Sequence, residues 1–513
     1  MKKHLKDLRE YVEILRDMGD VQEITEAADT TLEIGAVIRR AAEDNRPAPL
    51  FTNINGVQPG FRLLGSPGAL SSLPQARWAR VALSLGLAAD SHPRDIVEAL
   101  TEARSLEPIP PLVVEEGACQ QNVLLGEQAS LDAFPVPLIH DGDGGRYINT
   151  WGAIVVRTPD GSWTNWSIAR VMQVDGKTMA GMLNPPQDLG KIFAQWKQIG
   201  EPMPFAIVQG GDPSIPFICG MGLPSGLDEA AYLGAYFGEP LEVVKCKTVD
   251  LEVPASAEIV IEGHVSLDET VPEGPMGEYL GYVFGVPRQR SVFTISAITH
   301  RDDPILPVVS AGKPVEEDHT AVGVTYSAEA MVNLQAAGLP VTSAWLVPES
   351  AVNIIAVTVP RNWRELSRGA YTTTRMLTRA IAQVALRPKV GFWVTRVMVF
   401  DDDIDPTDLR DLMWGFATRC HPVQGALLMD DQRATPLHLF YTPEEQLSGS
   451  GPKIAYDCLL NPDEERRPKS TAFKDNFTPE IQARALALAE TPTQTSYPDR
   501  DPDRQEVLTY KSD

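Results

Sequence analysis

The chain has 513 residues, too many for one hydrophobic core and enough for two or three domains. Its hydrophobic (43%) and charged (22%) fractions are those of a globular protein. The formal net charge of −24 repels nucleic-acid phosphates and anionic headgroups, so neither nucleic acid nor a membrane surface is an expected partner, and an anionic substrate needs local positive charge.

In chain order, Leu5, Leu8, Val12 and Leu15 share one face of a predicted helix over 4–18. Short strands follow around Val21 to Ile24, Leu50 to Ile54 and Phe61 to Gly65, alternating with helical stretches. This predicts an N-terminal α/β domain over 1–115, ending at the Pro108 to Pro111 linker. From 116 to 320 the pattern turns β-rich. Trp151 to Arg157, Trp163 to Val174, Thr178 to Leu183, Glu258 to Ile261 and Ser291 to Thr299 read as strands. Helices appear only as insertions, Leu189 to Gln198 and Asp228 to Phe237. This is the pattern of an antiparallel, barrel-like sheet. Over 321–490 a strand Ile354 to Val359, a helix Trp363 to Leu386, a strand Val390 to Phe400 and a helix Thr407 to Thr418 predict a C-terminal α/β domain. Residues 491–513 read as a polar tail. The fold class expected is therefore α+β multidomain.

The five cysteines (119, 219, 246, 420 and 458) are odd in number, widely spaced and without a CxxC. They indicate neither a disulfide framework nor a zinc knuckle and suit a reducing cytoplasm. The N-terminal MKKHLKDLREYVEIL lacks the apolar stretch of a secretory signal, and no run reaches the ~18 apolar residues of a membrane span.

Chemistry is concentrated in two segments. Glu273-Gly274-Pro275-Met276-Gly277-Glu278 cannot be helical, and a tight turn there can aim both carboxylates at one point, where they divide acid and base roles. The plain alternative is a solvated acidic loop. About a hundred residues upstream lies Asn165-Trp166-Ser167-Ile168-Ala169-Arg170. Strand alternation would put Asn165 and Arg170 on opposite faces, so a shared site requires the strand to bulge or end between them. Gln187 and Asp188 precede a helix, where Asp188 reads locally as an N-cap. The loop Gly220 to Gly226 before Glu229 is not a dinucleotide fingerprint, yet its backbone N–H groups suit a phosphate. Asp401-Asp402-Asp403 reads as capping and solvation beside an Asp405-Pro406 helix start rather than a metal cluster.

Taken in order, NWSIAR, the Pro185 to Asp188 PPQD, the Asp228 to Tyr232 DEAAY, EGPMGE, Glu317-Asp318-His319-Thr320 and the Arg387 to Val394 RPKVGFWV resemble the UbiD family of prenylated-flavin decarboxylases. The likeness is strongest to its ferulate/cinnamate branch. The resemblance implies a central split β-barrel binding prenylated FMN, a C-terminal domain for homodimers or higher homo-oligomers, and a flavin prenyltransferase as supplier of the cofactor. It implies Arg170, Glu273 and Glu278 as catalytic residues, with Arg170 on the substrate carboxylate and Glu278 as proton donor. Asn165 to Arg170, Gln187, Asp188, Cys219, Met221, Glu229 and Lys389 would hold the cofactor, Lys389 through its phosphate. Mn²⁺ (or Mg²⁺) would sit on Asn165, Asp188 and Glu229, and K⁺ near Trp166, Cys219 and Met221.

One position departs from the family. The relatives carry PQH where this chain has PQD, so Asp188 either makes an all-oxygen metal site or is the plain cap. The resemblance also implies that Asn184, Tyr279 and Val322 fall at substrate-pocket positions. Asn184 and Tyr279 add hydrogen-bonding capacity, which favours a polar or heteroaromatic acid over plain cinnamate. Two rivals are a non-catalytic flavin-binding or assembly protein on the same scaffold and a flavin reductase. Neither has a use for the Arg170, Glu273 and Glu278 set.

Overall fold

The computed structural model describes residues 2–461 and 470–489. Residues up to Leu460 form one compact unit and those from Asn461 a second. In the second unit the described residues contain two helices, Phe473–Asn476 and Pro479–Ala489. The polar tail expected over 491–513 lies outside the described residues.

The first helix runs Leu8–Asp17. Asp7 caps it by accepting from the Arg9 N–H, and Leu8, Tyr11, Val12 and Leu15 bury the predicted face. The strands Val21–Ile24, Ala48–Phe51 and Arg62–Gly65 form a sheet whose fourth strand is Ile305–Val308, parallel to Arg62–Gly65. Segment 1–115 therefore does not hold that whole sheet.

The central sheet is antiparallel and has nine strands. Its path runs Arg146–Asn149, Val171–Gln173, Thr178–Gly181, Arg288–His300, Ile259–Glu273, Met203–Gln209, Ala153–Arg157, Thr164–Ser167, with Asn122–Leu125 added on Arg288–His300. Side chains alternate between two cores. Ile154, Val156, Phe205, Ile207 and Ile261 enter one, while Ala153, Val155, Ala206, Val208 and Val260 enter the other. Both faces are thus buried, which explains the near-continuous apolar runs.

The predicted single strand Trp163 to Val174 is in fact two, Thr164–Ser167 and Val171–Gln173, lying near opposite ends of the strand path. Four residue steps from Ser167 to Val171 span at most about 14 Å. The sheet must therefore curl until its ends nearly meet, leaving a split bridged by Ile168, Ala169 and Arg170. Asn149 Nδ2 donates to the Ala169 carbonyl at 2.7 Å, satisfying backbone that no strand neighbour reaches.

A third sheet has the order Ser343–Leu346, Ile354–Val359, Arg396–Asp401, Ser450–Asp457, Ala426–Arg433 and is mixed. The long helix Glu317–Ala336 packs on Ser343–Leu346, on helices Pro93–Ala103 and Thr374–Ala385, and on the short helix Ile215–Cys219. Three predicted elements are corrected here. Trp363 to Leu386 is two helices, Trp363–Leu366 and Thr374–Ala385, because Arg368 and Gly369 take left-handed φ and Thr373 caps a new start. Val390 to Phe400 begins as a helical turn, Val390–Trp393, before the strand Arg396–Asp401. The helix Leu409–Arg419 is capped by Asp408, not Asp405, and Asp403 pairs internally with Arg419 at 2.8 Å instead of being solvated.

Candidate active site

Arg170 ends the three-residue link across the barrel split, and its guanidinium lies between the two carboxylates of the acidic turn. Nε donates to Glu273 Oε1 at 2.9 Å, Nη2 to Glu273 Oε2 at 3.4 Å, and Nη1 to Glu278 Oε1. Glu273 is the last residue of the strand Ile259–Glu273 and Glu278 the last of Met276–Glu278, so chain reversal at Gly274-Pro275 aims both at Arg170. The turn is a pair of strand ends, not a loop open to solvent. Glu273 is 2% exposed and also accepts from the Tyr147 hydroxyl at 2.9 Å. Arg290 Nε lies 3.7 Å from its other oxygen.

Burial raises Glu278 above the ordinary carboxylate value despite the pull of Arg170, and the charges of Glu273 and Asp143 add to the rise. Burial alone would lower Arg170, but Glu278 and Glu273 reverse that and hold it charged. The site thus pairs a fixed cation with a carboxyl whose proton affinity burial has raised.

The stretch Asn165 to Ala169 passes from the strand into the split. Glu229, first residue of the helix Glu229–Phe237, accepts from Asn165 Nδ2 at 3.0 Å and from the Trp166 N–H at 2.8 Å, while Ser167 Oγ donates to Asn165 Oδ1 at 2.5 Å. Burial pushes Glu229 up to about 8. Trp166, Cys219 and Met221 pack in one core cluster, and burial raises the Cys219 thiol.

Asp188 is neither the cap nor an open ligand. It is the first residue of the helix Asp188–Ile199, and exposed Gln187 holds the cap position without a side-chain bond. Asp188 Oδ1 accepts from Lys191 Nζ (2.8 Å) and Ser225 Oγ (2.6 Å), and Oδ2 from Lys389 Nζ (2.9 Å). Burial would raise its carboxyl, but these three donors hold it below the usual range. Lys389 is not on a strand as expected. It precedes the turn Val390–Trp393 with φ +76° and also donates to the Leu223 carbonyl. Gly222 lies so close that a Cβ there would meet Lys389 Cβ at 3.3 Å and the Tyr326 ring at 2.9 Å.

Of the pocket residues, Tyr279 follows Glu278 and sets its ring edge on Trp393 at 5.1 Å. Its hydroxyl is buried without a hydrogen-bond partner among the described residues. Val322 is buried on the long helix, and Asn184 is half-buried, its carbonyl accepting from the Gln187 N–H. The loop after Glu278 is tied down by residues to which sequence reasoning gave no role. Asp143 Oδ1 accepts from the Gly277 N–H at 2.8 Å, and His319 Nε2 contacts the Tyr279 carbonyl at 2.7 Å. Tyr147 and Arg290 were missed as well, and no local pattern announces them; Ser225 lies in the Gly220 to Gly226 loop read as suited to a phosphate, but its side chain was given no role. Lys191 carried a signal, the Asp188 to Lys191 i,i+3 spacing.

An open, curled barrel with this cluster at its split matches known proteins along most of the chain. Residues 112–314 match the 3-octaprenyl-4-hydroxybenzoate carboxy-lyase Rift-related domain, 12–100 the N-terminal domain of the same family and 319–458 its C-terminal domain. The pyrrole-2-carboxylic acid decarboxylase of Pseudomonas aeruginosa is 42% identical over 461 residues, covering 90% of this chain and 92% of that one. Ferulic acid decarboxylase 1 of Saccharomyces cerevisiae is 36% identical over 469 residues, with the same two coverages of 90% and 92%. Among solved structures, the vanillic acid decarboxylase of Sedimentibacter hydroxybenzoicus in its open form superposes with a TM-score of 0.80 at 25% identity, covering 96% of this chain and 100% of that one.

Proposed function

The chain belongs to the UbiD family of carboxy-lyases, and we propose that it removes CO₂, reversibly and without oxidation, from an aromatic or heteroaromatic carboxylic acid using prenylated FMN. The observation that carries this reading is Arg170 clamped between Glu273 and Glu278 at the barrel split.

Loss of CO₂ from an sp² carbon leaves an electron pair that side chains cannot accept, and prenylated flavin, when bound, supplies the sink. The residues present fit a flavin. The backbone from Asn165 to Ala169 offers an edge, and Lys389, packed against Gly222, supplies a cation for a phosphate. Arg170 spends three of its five N–H groups on the two glutamates, and the remaining two suit the substrate carboxylate. Glu278, its proton affinity raised by burial, gives a proton to the carbon that has lost CO₂ and regains one from water. Glu273 braces the guanidinium throughout.

The unpartnered Tyr279 hydroxyl and the amide of Asn184 support a ring acid with its own polar atom, in keeping with the pyrrole acid named for the 42% relative. K⁺ beside Trp166, Cys219 and Met221 belongs to the same proposal. A Mn²⁺ or Mg²⁺ ligand set through Asp188 does not fit, since Asp188 is held by two lysines. Exposed Met413, Trp414, Val423, Leu428 and Leu447 support homo-oligomer contacts through the C-terminal region. No helix among the described residues is long and apolar enough to cross a membrane. A flavin prenyltransferase completes the proposal as cofactor supplier.

Glu278→Gln tests the chemistry. It should retain flavin absorbance while turnover drops roughly a hundredfold or more. Near-normal turnover in that variant would remove Glu278 from the proton step.

A further inference from the structure

A divalent cation of the Mn²⁺ or Mg²⁺ kind needs several oxygen donors with free lone pairs and no competing cations. Of the three side chains expected to supply them, Asp188 is taken up by cations, while Asn165 and Glu229 accept only neutral donors and keep lone pairs. Asp188 accepts from Lys191, Ser225 and Lys389; Glu229 accepts on one oxygen from Asn165 and on the other from the Trp166 N–H; and Asn165 Oδ1 accepts from Ser167. Two ammonium groups within 2.9 Å of the Asp188 oxygens repel any second cation placed there.

The same contacts make the locus suited to an anion. One carboxylate against two lysines leaves one net positive charge, and Asp188 holds together ammonium groups that come from the chain 198 positions apart (389 − 191). An ammonium has three donors. Lys191 spends two, on Asp188 and Ser225, and Lys389 spends two, on Asp188 and the Leu223 carbonyl. Each keeps one N–H. Both are also partly open to solvent, at 42% and 33% exposure. They stand at the N-terminal end of a twelve-residue helix whose N-cap side chain makes no capping bond.

We propose that in this chain Lys191, Lys389 and Ser225, arranged by Asp188, hold the flavin phosphate directly, with no divalent cation between phosphate and protein. Aspartate at position 188 is then the residue that organises a lysine clamp. The inference rests on the flavin reading above.

The test needs no turnover. FMN and riboflavin, which lacks the phosphate, are titrated into the purified full-length protein by flavin fluorescence, with EDTA or with added Mn²⁺, and bound metal is measured. The expected result is FMN binding that is unchanged by EDTA or Mn²⁺, without stoichiometric manganese. Lys191→Met and Lys389→Met should each weaken FMN roughly tenfold to a hundredfold while leaving riboflavin affinity unchanged. That riboflavin control shows each variant to be folded and its effect confined to the phosphate. FMN affinity that collapses in EDTA and returns with Mn²⁺, or lysine variants that bind FMN normally, would overturn the inference while leaving the flavin reading intact. If the unchanged protein binds neither flavin, both fall together.

Discussion

Glu273 makes more contacts than the residue assigned to the proton step. It takes two bonds from Arg170 and one from Tyr147, has Arg290 at 3.7 Å, and is almost wholly buried. Its charge also helps raise Glu278. Replacing it with glutamine removes that charge and frees Arg170 to favour ionised Glu278, so the Glu278 carboxyl should fall toward its ordinary value. On the proposed mechanism the protonated form is the active one, so activity would be lost as pH rises through that value. In Glu273→Gln the alkaline limb of kcat should therefore move to lower pH, with KM raised because Arg170 loses its brace. A limb that stays put or moves upward would uncouple the two acids. At this scale the sequence was informative where residues sit in one short run, as in Glu273 to Glu278, or in a matched block. It was silent on Tyr147, which meets Glu273 across 126 positions, because such a contact is created only by the closing of the sheet.

Among the elements, the turn after Glu278 is held from both sides. The Gly144 N–H donates to the Pro275 carbonyl at 2.7 Å, Asp143 takes the Gly277 N–H, and His319 reaches the Tyr279 carbonyl. His319 is itself fully buried at the start of the long helix, with Nδ1 2.9 Å from Glu316 Oε1. This links the long helix to the position of Glu278. His319→Ala should lower kcat about tenfold with flavin affinity nearly unchanged, and speed amide hydrogen exchange over residues 276–281. His319→Gln, which keeps a donor, should recover part of the loss. Normal kcat together with unchanged exchange would show the contact to be incidental. Element types were largely legible from alternation and turn residues, as in the helix expected over Leu189 to Gln198 and found as Asp188–Ile199. The misread cases share a cause. Trp163 to Val174, a mixed strand-like stretch, and Val390 to Phe400, a largely apolar one, are each interrupted where a tertiary contact forms, the Asn149 bond to Ala169 in one and the Lys453 bond to the Gly391 carbonyl in the other.

Across the whole molecule, pH should tune stability through acids buried without partners. Glu317 is fully buried, neither carboxyl oxygen has a hydrogen-bond partner among the described residues, and burial, then the Glu316 charge, push it up to about 8. The unfolded chain ionises this group in the ordinary carboxylate range, so its contribution is full below that range and is lost as pH rises through about 8. Melting temperature should decline over that window, and Glu317→Gln should flatten the decline; identical pH profiles for the two proteins would contradict this. The central claim concerns the chain as an enzyme: decarboxylation by the Arg170 and Glu278 pair only when prenylated flavin is bound. Its most direct test is CO₂ release from pyrrole-2-carboxylate, other heteroaromatic acids and cinnamate by protein purified with and without a co-expressed flavin prenyltransferase. The account predicts turnover only in the preparation whose mass spectrum shows the prenylated cofactor, greatest on a heteroaromatic acid. Equal turnover in flavin-free protein, or none in protein loaded with that cofactor on any acid tested, would contradict it.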